Sequence, residues 1–193
     1  MTISAWPVNG WVHLPMSESQ ALESESTARP NLLAWLSFSG LVVALDQLSK
    51  WGVTTNMALG DHIPVWPIFS WVRWHNTGAA FSMLSEGGGW QRWFFVTLAV
   101  GFTAFIIYEL RRLQITEKFM AFVYALILGG ALGNMIDRLF HGYVVDFILF
   151  YYRDWYFPAF NVADIALSCG AALWIGYLVL EFRQERRLKK ESR

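Results

Sequence analysis

Four runs of mainly apolar residues, each close to twenty long, limit what this chain can fold into. They are "NLLAWLSFSGLVVALDQLSKWGV" (about 31–53), "WQRWFFVTLAVGFTAFIIYEL" (about 90–110), "FMAFVYALILGGALGNMIDRL" (about 119–139) and "FNVADIALSCGAALWIGYLVLEF" (about 160–182). A helix rises 1.5 Å per residue, so each run matches the ~30 Å hydrocarbon core of a bilayer. Charged residues make up only 16% of the 193, well below the roughly 25% of soluble domains. The expectation is a mainly α membrane protein with four transmembrane helices, spanning 31–182. Residues 1–30 are polar, contain three prolines and lack the basic and apolar regions of a signal peptide. They are expected to form a flexible tail, and 183–193 a basic one.

Basic residues orient the spans. With four crossings both termini share a side with "RRLQITEK", and that side carries ten of the fifteen Lys and Arg residues. The rule that basic loops stay inside puts both termini in the cytoplasm. The 1–2 loop (about 54–89) and the 3–4 loop (about 140–159) then face outward. Seven of the eleven tryptophans, Trp51, Trp66, Trp71, Trp74, Trp90, Trp93 and Trp155, lie on or beside those loops. The stretch "PIFSWVRWHNTGAAFSM" mixes aromatic and β-branched residues in a strand-like way before "TGAAF", so a short sheet or platform is expected at the outer surface. An ordinary aromatic belt explains most of these tryptophans equally well. Net charge is zero, which gives no footing for a nucleic-acid partner.

Against this apolar background the polar residues stand out, because charge in hydrocarbon costs several kcal/mol. Asp46 is about sixteen residues into the first run, roughly 24 Å along its axis. Lys50 follows at i+4, where opposite charges meet. A pair snorkelling to the interface is one reading of them. Asn134 and Arg138 repeat the i,i+4 spacing, with Asp137 on a neighbouring edge. "YVVDFILF" carries Asp146 on an apolar segment. Asn161 and Asp164 open the fourth run, where an N-cap and a first-turn carboxylate are favoured in any helix.

Two aspartates in a dry site allow a second reading. Shared burial and like charge keep one protonated beside its ionised neighbour, which can hydrolyse a peptide through an activated water. Asp164, nearer a helix N-terminus, is then the readier to ionise. Spacing alone does not pair Asp146 with Asp164. HExxH, GxxxxGK[ST] and GxSxG are absent. His13, His62, His75 and His141 are scattered over tail and outer loops, so no metal is expected. Cys169, the sole cysteine, reads as a small packing residue, and Gly129 with Gly133 as a close-packing GxxxG. At this level a transporter or channel, a tetraspan scaffold and an enzyme remain equal candidates.

Five blocks resolve that choice: "DQLSK" (46–50), "HNTGAAFS" (75–82), "GNMIDR" (133–138), "VVDF" (144–147) and "FNVADIALSCG" (160–170). In this order and between such spans, residues 31–182 resemble the bacterial lipoprotein signal peptidases, or signal peptidase II. The resemblance implies a four-helix aspartyl endopeptidase of the bacterial cytoplasmic (inner) membrane, without cofactor or metal. It also implies an extracytoplasmic β-cradle, a surface loop or helix between spans one and two, and a site near the outer face. The implied partners are a prolipoprotein whose cysteine carries diacylglycerol, cut just before that cysteine, and membrane phospholipid. Carried over block by block, the catalytic pair is Asp146 and Asp164. Asp46, Asn76, Asn134, Arg138 and Asn161 support or line the site, and Lys50 and Asp137 are structural. The N-terminal tail is longer than the short lead usual in that family.

Overall fold

A computed structural model describes residues 30–78 and 89–191. The tail expected over 1–30 falls, apart from Pro30, outside the described residues, as do 79–88, which include the last four residues of the second block. The four runs form α1 (Leu32–Asn56), α2 (Trp90–Arg112), α3 (Lys118–Phe140) and α4 (Val162–Glu191). All four are long and apolar enough to cross a membrane. Three match the sequence reading to within three residues at each end. The fourth continues through the basic segment that reads as a tail. "EFRQERRLKKE" is built from good helix formers and holds neither Gly nor Pro to stop the helix.

α3 is the centre of the bundle. Two thirds of its most apolar window (67%) is buried, against 11–17% in the other three helices. It packs against α1, α2 and α4. Close approach depends on glycine. A Cβ at Gly129 would stand 2.6 Å from Val42 Cβ, and one at Gly133 would stand 2.7 Å from Asp46 Oδ2. Gly130 meets the Ala163 carbonyl of α4 in the same way, and Gly170 of α4 meets Ile127. With lipid no less apolar than leucine, small residues let helices gain contact that the hydrophobic effect does not supply.

The expected platform is a four-stranded antiparallel sheet, β1 (His62–Trp66), β2 (Phe69–Asn76), β3 (Val144–Tyr152) and β4 (Trp155–Tyr156), in that spatial order. All seven tryptophans named above are exposed. The guanidinium of Arg73 on β2 donates to the carbonyls of Thr54 (3.1 Å) and Met57 (2.6 Å). It thereby satisfies orphan carbonyls at the end of α1 and seats the sheet on that helix. β3 leaves α3 through a turn at Gly142, whose φ of 82° suits a residue without a side chain. The Ile148–Phe160 bridge ties β3 to the start of α4. No surface helix occurs between α1 and α2 among the described residues.

Candidate active site

The site begins with a buried cation. Lys50 Nζ lies 2.8 Å from Asp46 Oδ2 and 2.9 Å from Asp137 Oδ2, with both ends of the trio nearly inaccessible. The pair therefore does not snorkel. It is locked between α1 and α3, because Asp137 takes the second contact that interfacial water would otherwise supply. Gln47 Nε2 strengthens the junction, donating to Asp137 Oδ1 (2.9 Å), Asp46 Oδ2 (3.2 Å) and the Gly133 carbonyl (3.2 Å). The other Asp46 oxygen accepts the backbone N–H of Ala163 at 2.9 Å. That N–H is one of the orphan donors at the start of α4. Asp137 Oδ2 likewise accepts the N–H of Val145 at 3.1 Å, which positions the first residues of β3.

Lys50 also donates to Asn134 Oδ1 at 3.1 Å, and Asn161 Nδ2 reaches the same oxygen at 3.2 Å. Two donors on that oxygen leave the amide nitrogen of Asn134 facing the other way. It donates to Asp164 Oδ1 at 2.8 Å. Asn161 also donates to Asp146 Oδ1 at 2.8 Å. Its own side-chain oxygen accepts the N–H of Asp164 (3.0 Å), while Asp164 Oδ2 accepts the N–H of Asn161 (3.1 Å). This reciprocal capping arrangement starts α4. The capping role read from the sequence is present, and the same two side chains also face the cavity network.

Asn76 completes the chain. Its Nδ2 donates to Asp146 Oδ2 at 3.0 Å, and its oxygen accepts the N–H of Gly78 at 3.0 Å. Arg138 donates to the carbonyls of Gly78 (3.0 Å) and Asn134 (3.4 Å), and its guanidinium lies over Phe95. The structure thus joins all nine residues singled out in the sequence into one network. Asp146 and Asp164 line the same cavity of about 990 Å³ with Asn76, Asn134 and Arg138, while Asp46, Lys50 and Asp137 lie beneath it. Phe157, Phe160, Ile165 and Leu167 supply much of its apolar wall.

Asp146 is 4% exposed. Burial, followed by the negative charge of Asp164, pushes its carboxyl from 3.8 up to about 7, against the hydrogen bonds from Asn76 and Asn161 and the charge of Lys50. A carboxyl poised there exchanges a proton readily near neutral pH. Among the described residues no three His, Cys, Asp or Glu side chains group in a way that could hold a metal ion.

Three residues differ from their sequence reading. Gln47 went unnoticed, although it lies inside "DQLSK" and in the same polar band. His75 belongs to the cavity wall and not to a scattered set. Cys169 is exposed on that wall beside Ser168, and the packing role at this turn of α4 falls to Gly170.

A family profile described as signal peptidase (SPase) II matches residues 38–180. A lipoprotein signal peptidase from Serratia marcescens is 52% identical over 147 residues, covering 76% of this chain and 85% of the relative. One from Acinetobacter baumannii strain SDF is 45% identical over 177 residues, covering 92% and 99%. A bacterial membrane enzyme solved by the in meso method at 2.3 Å superposes with a TM-score of 0.72 at 31% identity. It covers 80% of this chain and 93% of its own.

Proposed function

The chain belongs to the signal peptidase II family as a multi-pass bacterial membrane peptidase, and from that premise we propose that it cleaves diacylglyceryl-modified prolipoproteins just before the lipidated cysteine. Asp146 and Asp164 activate the water. The observation that carries this reading is Asn161, which donates to Asp146 while capping against Asp164, so that one residue fixes both carboxyls on one cavity. Ionised Asp164 takes a proton from water as the oxygen attacks the scissile carbonyl carbon. Protonated Asp146 gives its proton to the carbonyl oxygen. The gem-diol then collapses: one of its hydroxyls returns a proton to Asp146, the C–N bond breaks, and the amine leaves with the proton held by Asp164. The signal peptide departs as a carboxylate, and the lipidated cysteine keeps a free amine.

Burial favours this chemistry, because a dry site strengthens each electrostatic contact and sustains a single shared proton more cheaply than two bare charges. Basic-residue placement supports a reading with both termini in the cytoplasm and the site near the outer face, where the substrate's lipid would lie among membrane phospholipids. In the test, purified enzyme receives modified and unmodified precursor, and products are resolved by gel shift. Cleavage of the modified precursor alone is expected, with loss of at least a hundredfold in Asp146→Asn and in Asp164→Asn. Cleavage that persists in either variant removes the pair from the mechanism.

A further inference from the structure

Three rings stand beside the catalytic network without a role in it. His75 on β2 stacks on Tyr143 with ring centroids 3.7 Å apart and 14° between planes, and His141 stacks on the same tyrosine at 5.7 Å. Their position is the end of a ladder. His75 pairs with Val145, and Asn76 with Val144 is the last registered pair of β2 and β3. Tyr143 is the diagonal neighbour of His75, since side chains two apart share a face, and such diagonals lie within reach of aromatic rings. Asn76 and Asp146 are also diagonal neighbours, in the opposite sense and on the other face. Strand ends fray, and a ring stack at the terminal pair opposes that.

We infer that the His75–Tyr143 stack is a positioning element for this peptidase, clamping the end of β2 so that the Asn76 amide stays on Asp146. Among the described residues, Asn76 is otherwise held by its ladder pairing with Val144, by its turn with Gly78 and by the hold of Arg138 on that glycine. Burial, then the charges of Arg73 and His141, keeps His75 below the usual imidazole value, so it stacks as a neutral ring at pH 7. The groups bearing on Asp146 are Asp164 from α4, Asn161 before it, Lys50 from α1, Arg138 from α3 and Asn76 from β2. Of these hydrogen-bond donors, Asn76 alone depends on the end of β2. Losing it removes a bond that holds the Asp146 proton affinity down.

This inference rests on the proposed role of Asp146, and the readout is the pH profile of kcat alongside KM. His75→Ala and Tyr143→Ala each lower kcat roughly 2- to 12-fold, the factor set by one aromatic pair, with little change in KM. Both move the alkaline limb to higher pH, in the direction and by the amount given by Asn76→Ala. His75→Phe, which keeps a ring and cannot titrate, restores the limb and most of the rate. An alkaline limb that stays in place in both alanine variants overturns the clamp, as does a His75→Phe enzyme indistinguishable from His75→Ala. If Asp146→Asn still cleaves, the underlying catalytic reading has failed instead, and that result is separable from the other two.

Discussion

Replacing Lys50 with Met tests whether the buried cation holds the floor of the site together. The ammonium lies 2.8 and 2.9 Å from two carboxylates that have almost no access to solvent. At such distances, with an effective dielectric constant near 20, each attraction is worth about 6 kcal/mol before desolvation is counted. Methionine has a similar stem and no charge, so Asp46 and Asp137 are left facing each other. Their Oδ2 atoms, 2.8 and 2.9 Å from one nitrogen, lie no more than about 5.7 Å apart, where two like charges repel by at least about 3 kcal/mol in the same medium. Breaking a buried pair by removing one partner costs about 3–5 kcal/mol net. For a chain of this size that lowers the unfolding midpoint by roughly 10 °C. Tryptophan fluorescence on heating in detergent, at one fixed scan rate, reads this out. Adding Asp137→Asn removes one stranded charge, so the double variant loses less than the two single losses combined. A Lys50→Met midpoint within about 2 °C of the parent, or costs that simply add, would refute the reasoning.

Two further outcomes are expected. Asp146 holds its proton up to about pH 7, so kcat/KM falls as pH rises through that value. The folded carboxyl lies above its ordinary 3.8, so its contribution to stability is full below about pH 4 and is lost as pH climbs through about 7. The midpoint is therefore higher at pH 5 than at pH 8, and Asp146→Asn diminishes that difference; an unaltered difference in the variant would reject Asp146 as its source. Gly133→Ala places a methyl against Asp46 Oδ2 and Ala163 Cβ and costs about 1–3 kcal/mol. Gly101→Ala meets nothing within 4 Å and leaves the midpoint unchanged or higher, so equal effects of the two would contradict the packing described for α3.

How much of this was legible in the chain depends on the range of the physics involved. Span position follows from the length of apolar runs, so three helices matched closely. The charged end of α4 misled because polarity marks where oil stops, whereas helix propensity marks where a helix stops. Asn161 and Asp164 were readable as a cap because capping is local. That Asp46 accepts the N–H of Ala163, far along the sequence, could not be read, since no periodicity encodes a contact between two helices. The fate of Lys50 was hidden for the same reason: an i,i+4 pair looks alike at a wet interface and in a dry core until Asp137 is placed against it. The stacking of His75 was hidden because its partner, Tyr143, lies on another segment, and no local pattern encodes a ring contact between the two.

The fastening of Asp46 to α4, of Lys50 to α3 and of Asp137 to β3 has a consequence for how the enzyme meets its substrate. Three helices and a strand are bolted together under the cavity before anything arrives. Docking of a prolipoprotein therefore demands no rebuilding of that foundation, and none of the free energy gained on binding goes into assembling it.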